Sequence, residues 1–208
     1  MKYSIIENYF PELTERQKEQ FEILGSTCTH WNDKINVISR KDIDNLEVNH
    51  ILHSLAIAKF IRFAPDSMII DLGSGGGFPG LPLAILFPDV KFHLVDRIGK
   101  KLRVAEEMAK ACGLENVNFQ HGDFTECKVP ADFIVSRAVM PQDELVKLAR
   151  KNIIKECHNA IPNGLISLKG GDLHNELKKV KGDTETVEIS SFFTEPFFET
   201  KKIVYTPV

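Results

Sequence analysis

The chain has 208 residues, 43% hydrophobic and 26% charged, with a formal net charge of -3. These values describe one globular domain with a small appendage and exclude a protein that holds nucleic acid by bulk positive charge. No apolar stretch reaches bilayer-spanning length and no basic start leads into an apolar run, so a soluble, cytoplasmic protein without a membrane partner is expected; a monomer is also expected.

From the N-terminus, Thr14 and Gln17 are spaced for a capping box, and Phe21, Leu24, Cys28, Trp31 and Ile35 follow at helical intervals on one face. A second helix is predicted from Asp44 to Phe63, with Leu46, Ile51, Leu55, Ala58 and Arg62 on its inward stripe and Pro65 helping to end it. Beyond Pro65 the period changes. The apolar runs "MIIDL", "KFHLVD", "NVNFQ", "DFIVSRA" and "LISLKG" alternate with helical segments that include "KKLRVAEEMAKAC" and "QDELVKLARKNI", the pattern of a parallel α/β sheet covered on both faces. Gly113 stands where a helix-ending glycine belongs. "VEIS" and "KKIVYTPV", around "FFTEPFF", read as a closing pair of strands. Cys28, Cys112, Cys127 and Cys157 are far apart and form no C-x-x-C, so neither a metal site nor a disulfide framework is expected. Basic clusters stand at Arg40-Lys41, Lys100-Lys101 with Arg103, Lys147 with Arg150-Lys151, Lys178-Lys179 with Lys181, and Lys201-Lys202. Each alone reads as a solvated face.

The informative stretch is "IIDLGSGGGFPGLPLAILFPDVKFHLVD", at the strand-to-helix turn where a doubly wound sheet binds its ligand. Gly75, Gly77 and Gly80 fit G-x-G-x-x-G, and Asp96 lies at the distance of a ribose-binding acid, which admits a nicotinamide or flavin dinucleotide. The register favours another ligand. Asp71 immediately precedes the glycines beginning at Gly73, so a carboxylate is expected at the mouth of the loop, where it would repel a pyrophosphate. An ammonium and a sulfonium would be attracted there, and S-adenosylmethionine carries both, together with a ribose diol for Asp96. Asp123, at the end of the third strand, is placed to meet an adenine amine, with Phe124 packing on the ring. The fourth strand ends in "SRA", with Arg137 where enzymes methylating exocyclic amines carry an N-P-P-Y-like segment. None of the cysteines is placed as a nucleophile for pyrimidine carbon.

"WNDKINVIS", "NHILHSL", "DLGSGGGFPGLPLAI", "LVDRIGKK", "SRA" and "LKG", in that order from Trp31 to Gly170, resemble the bacterial small-subunit rRNA guanine-N7 methyltransferase family, also called glucose-inhibited division protein B. The resemblance implies a class I S-adenosylmethionine-dependent methyltransferase fold at 64–208, with an N-terminal helical extension at 1–63. It implies methyl transfer to a guanine N7 in the decoding-region loop of 16S rRNA, as bare RNA or in a small-subunit assembly particle. Gly73, Phe78, Asp123, Thr125 and Arg137 would then contact the donor, while Asn36, His50, Arg137 and Lys169 match positions of the RNA side or the reaction centre. The chain departs from the family at Asn49 and Thr200, where arginines are usual, and at His53, where an aspartate is common. The rival readings are an NAD(P)-dependent oxidoreductase and a non-catalytic methyltransferase-like RNA-binding module. Several of these residues also have purely structural readings: Arg137 as a partner of Asp132, His50 and Trp31 as core, Asn36 as a cap or turn residue, Lys169 as a strand end.

Overall fold

The computed structural model describes residues 4–39 and 42–208; the Arg40-Lys41 cluster lies outside the described residues. Each expected apolar run forms a strand: β1 Met68–Leu72, β2 Lys91–Asp96, β3 Val117–His121, β4 Phe133–Arg137 and β5 Gly164–Gly170, with β6 Glu185–Glu188 and β7 Lys201–Pro207 from the tail. They make one seven-stranded sheet in the order β3-β2-β1-β4-β5-β7-β6. The first five are parallel and β7 is antiparallel to both β5 and β6. The expected α/β, doubly wound, mostly parallel fold is therefore present. Strand order reverses between β1 and β4, which opens a crevice at their carboxyl ends.

Alternation within the strands sorts the core onto two faces. Ile69, Phe133, Val135, Ile166 and Leu168 join one cluster, whereas Ile70, Leu72, Ile134 and Leu165 join the other. The first face is covered by α4 Gly80–Leu86, α5 Gly99–Cys112 and the N-terminal helices, the second by α6 Gln142–Ala149. Gly113 ends α5 in the left-handed conformation at φ 64°, which glycine adopts without Cβ strain.

Ahead of the sheet lie α1 Ser4–Tyr9, α2 Glu15–Asn32 and α3 His53–Phe60. The capping box at Thr14 and Gln17 is present. Gln17 also donates from Nε2 to the carbonyls of Ile85 and Leu86, at 3.0 and 3.2 Å, and Gln20 donates to the Cys112 carbonyl at 3.0 Å. These carbonyls lie at the ends of α4 and α5, where no intrahelical donor remains, so α2 docks by satisfying the last turns of two core helices.

Three local expectations are corrected. The helix expected at Asp44–Phe63 is a 3-10 turn at Ile43–Asn45, a π-helical segment at Glu47–Leu52, and α3, which stops at Phe60. Arg62 is exposed because the chain has already turned extended at Ile61. Ile35 falls beyond the end of α2. No helix among the described residues is long and apolar enough to cross a membrane.

Asp71 is also not at the loop mouth. It has no solvent exposure, and its Oδ2 accepts the Gly80 N–H at 2.7 Å at the first residue of α4. Burial pushes its carboxyl up to about 7, against an opposing pull from the Gly80 N–H and Arg137. Position 80 has to be glycine, since a Cβ there would lie 2.8 Å from both Asp71 Oδ2 and a Leu94 methyl. Gly80→Ala is expected to lower unfolding free energy by about 1–3 kcal/mol, measured by urea denaturation. Asp71 should also make stability depend on pH. The unfolded chain releases this proton near pH 4 and the folded chain near 7, so the wild type loses stability as pH rises across that window. Relative to wild type, Asp71→Asn should gain up to about 1.4 kcal/mol per pH unit between pH 4 and 7 and nothing below it; a difference independent of pH would disprove the assignment.

Candidate active site

The turn from β1 into α4 is built around backbone that side chains would obstruct. Gly73, Gly75 and Gly77 have φ of 72°, 54° and 91°, a region glycine enters without Cβ strain. The N–H groups of Gly73 and Ser74 donate to the Val95 carbonyl, which fastens the turn to the end of β2. There Asp96 accepts the Gly75 N–H through Oδ2 and the Ile98 N–H through Oδ1, both at 2.7 Å. Those two bonds fix the carboxylate plane and leave each oxygen a further lone pair. On the far side, a Cβ at Gly76 would lie 2.8 Å from that of Val37, so the loop after α2 rests directly on the glycine turn. Asn32 holds that loop, its Oδ1 accepting the N–H groups of Val37 and Ile38 at 3.0 and 2.9 Å.

Two adjoining cavities meet at this turn, one of about 600 Å³ and one of about 240 Å³, and Gly73, Asp96 and Val139 line both. The smaller has Ile98, Asp123 and Phe124 in its wall. Asp123 caps a 3-10 turn by accepting the Thr125 N–H and hydroxyl, at 2.9 and 2.7 Å, and these bonds hold its carboxyl below the ordinary range. Val139 follows Ala138, a non-glycine residue at φ 53°, and sits so close to Gly73 that a Cβ there would meet its methyl at 2.6 Å. A strained residue at the rim of a cleft is the kind of outlier that marks a working segment.

The larger cavity is organised by Arg137, at the end of β4. One Nη donates to the Asn49 carbonyl at 3.3 Å, the other to His50 Nδ1 at 3.0 Å, and the guanidinium lies over the Phe78 ring at 5.5 Å. Because arginine can only donate, His50 Nδ1 is the acceptor and its proton resides on Nε2. Burial first, and the Arg137 charge second, drive the His50 pKa down to about 3, so the ring is neutral near pH 7. Burial lowers Arg137 itself to about 10, against the stabilising charges of Asp71 and Asp42. Asn49 serves both sides of the cavity: its carbonyl takes Arg137 while its side-chain amide donates to Asp42 Oδ1 at 3.3 Å. The π-helical segment supplies this geometry, setting both Asn49 and His50 toward the cleft.

Of the residues read from sequence, Gly73, Gly75, Phe78, Asp96, His50, Arg137 and Lys169 line the larger cavity, and Asp123 and Phe124 the smaller. Asp71 lies beneath the loop and Gly77 behind it, its φ required by the turn. Asn36 is exposed and lines neither cavity, and the wall there is Val37. Thr125 lines neither cavity and acts on Asp123. Lys169 is already engaged, donating to the Met140 carbonyl at 2.6 Å and pairing with Glu176 at 2.8 Å. Arg137 does not pair with Asp132, whose Oδ2 accepts the Met68 N–H at 2.8 Å. Lys201, read in sequence as one of a solvated basic pair, also lines the site, as do Asp42 and Val139, which were not candidates. Only Val139, just after "SRA", had a local signal.

The family model described as rRNA small subunit methyltransferase G matches residues 17–203. A Phocaeicola vulgatus protein named Ribosomal RNA small subunit methyltransferase G is 59% identical over 204 residues, 98% of each chain. Its Bacteroides fragilis (strain ATCC 25285) namesake is 58% identical, covering 96% of this chain and 97% of that one. Among solved structures, a SAM-dependent methyltransferase from Aquifex aeolicus superposes with TM-score 0.56 at 16% identity, over 81% of this chain and 97% of that one, a likeness of fold. The dinucleotide oxidoreductase and the non-catalytic module are not favoured by these matches. The chain belongs to the rRNA small subunit methyltransferase G family.

Proposed function

We propose that this chain transfers the methyl group of S-adenosylmethionine to N7 of a guanine in the decoding-region loop of 16S rRNA. In this reading it acts as a monomer in the cytoplasm, on a small-subunit assembly particle or its RNA. The observation that carries the reading is the division of labour between two acids. Asp71 occupies the start of α4, where a dinucleotide's diphosphate would have to sit, while Asp96 stands fixed between the two cavities with lone pairs to spare. The cleft thus suits a ligand with a diol in its middle and no phosphates.

Asp96 would hold the ribose hydroxyls, and Ile98 and Phe124 would flank the adenine with Asp123 at its amine. The turn at Gly73 and Gly75 would admit the amino-acid end to the backbone. When bound, the donor supplies an electrophilic methyl on a sulfonium. Guanine N7 presents an unprotonated lone pair on its major-groove edge, so no side chain needs to remove a proton first, and the neutral, already hydrogen-bonded His50 is not asked to act as a base. The residues' task is alignment, which can lower a barrier by about 7–11 kcal/mol when reacting atoms are held near contact. Arg137, with N–H groups left over after Asn49 and His50, donates to guanine O6. Asp42 takes the N1–H and N2–H groups; it is half-buried and its pKa is lowered, mainly by the Ser39 hydroxyl. Lys169, paired with Glu176, positions the strand end rather than serving as a free phosphate contact.

The direct test is transfer of tritiated methyl from the donor to small-subunit particles from cells lacking this gene, with the product mapped by aniline cleavage. Absence of N7-methylguanosine in the decoding-region loop would refute the proposal. Asp96→Asn keeps the shape but gives up an acceptor, and should weaken donor binding by about tenfold or more in calorimetry. If Asp42 reads the guanine amine, wild type should prefer guanosine over inosine at the target position by about tenfold in kcat/KM, and Asp42→Asn should erase most of that ratio. With His50 titrating near 3, no inflection in kcat assignable to it should occur between pH 5 and 8, and His50→Gln should leave the shape of that profile unaltered.

A further inference from the structure

We propose that a basic groove along α6, outside the cleft, carries the phosphate backbone of the rRNA beside the target nucleotide; this rests on the rRNA reading above. The groove encloses about 380 Å³, with Lys147, Arg150, Lys179 and Lys181 in its walls, Val146 and Val180 along its floor and Asp143 as its only acid. The cations come from two clusters some thirty residues apart in sequence, each unremarkable alone, which the fold brings together.

Four cations face one carboxylate here in a chain whose net charge is -3, so positive charge is segregated rather than spread. Lys147 pairs with Asp143 at 3.0 Å. Arg150, Lys179 and Lys181 are exposed, and none has an ion-pair partner among the described residues. Unpaired cations converging on one groove repel one another, a cost that a polyanion relieves. Arginine can grip a phosphate with two parallel N–H bonds, and lysine contributes a mobile point charge.

The groove is mechanically tied to the cleft. Glu176 Oε1 accepts the N–H of Gln142, the first residue of α6, at 2.7 Å, and pairs with Lys169, which lines the larger cavity. Lys178 and Lys179 follow directly after α7 His174–Leu177. From Gln142 to Arg150 the helix rises about 12 Å at 1.5 Å per residue, roughly three or four nucleotide spacings along one strand of a duplex. A strand whose guanine is inserted beside Arg137 would therefore lay its neighbouring phosphates along this groove.

The test uses the full-length protein with Arg150, Lys179 and Lys181 all changed to alanine, and a control with three exposed lysines outside every described cavity, Lys110, Lys128 and Lys155, changed likewise. Both are assayed against small-subunit particles lacking the modification and against protein-free small-subunit rRNA. The groove variant should raise KM roughly tenfold on both substrates, and the slope of log affinity against log salt should fall by about 2. Its kcat and its donor affinity should equal those of wild type. An unchanged KM and salt slope, or changes no larger than the control's, would overturn the inference. So would an effect confined to intact particles, which would assign the groove to an acidic ribosomal protein. Failure of the wild type to methylate particles would instead strike the functional reading beneath it.

Discussion

The hydrogen bond from the Gly80 N–H to the buried carboxyl of Asp71 is the constraint on which the remaining geometry depends. A helix N-terminus is an anion site by default, because its first N–H groups have no partner within the helix. Here the chain fills that site with its own side chain, from the strand that leads into the turn. Three consequences follow. The turn must pass close over Asp71, which requires a residue without a Cβ at position 80. The helix start no longer offers its Gly80 N–H to a diphosphate. In the proposed reading the external ligand is then left to Asp96, on the neighbouring strand, whose carboxylate is fixed by Gly75 and Ile98 and lines both cavities. On the proposed reading, selection against dinucleotides would come from a position already filled more than from long-range repulsion, since a carboxyl titrating near 7 carries only part of its charge at neutral pH.

The second organising element is Arg137, which links the extension to the core. Its donors reach Asn49 and His50 in the π-helical segment, while the strand that carries it belongs to the sheet. The extension packs on the sheet through a large apolar cluster, and α2 satisfies the carbonyl ends of α4 and α5, so the wall facing Arg137 is held from two directions. A cation kept among partly buried groups loses solvation, and this loss is offset here by a carbonyl, an imidazole nitrogen and the face of Phe78. That arrangement fixes the guanidinium while leaving N–H groups unspent.

The sheet was legible in the sequence because parallel strands buried on both faces announce themselves as short apolar runs between amphipathic helices. All five parallel strands, the α5 cap at Gly113 and the capping box at Thr14 fall where local pattern places them. Local pattern predicts one helix over 44–63 because a π turn keeps the composition of a helix while shifting its register. Asp71 was placed correctly in sequence but wrongly in depth: spacing locates a residue along a turn, whereas burial depends on what packs over it. Asp42 had no signal at all. Its place in the cleft depends on Ser39, three residues before it, and Asn49, seven after it, in irregular chain whose pairings follow no period. Likewise, two basic clusters thirty residues apart appear as one groove only once β5 and α7 are folded between them.

An N7 acceptor, as proposed above, would account for a cleft with many polar groups and, among the described residues, no activated nucleophile. His50 is neutral and occupied, Lys169 is paired, and Cys28, the buried thiol that senses the Arg137 charge, is driven up to about 12 by burial. Were the acceptor an exocyclic amine or a ring carbon, the site would need a group to take a proton or attack a ring, and none of these residues is free or ionised suitably. For a lone pair already exposed on the base edge, such groups are unnecessary, and even harmful if they place negative charge beside a sulfonium about to become neutral. In the proposed reading Asp71 is buried beneath the turn and lines neither cavity, while Asp96 is taken up by the ribose in the middle of the donor, which leaves the chemistry to alignment.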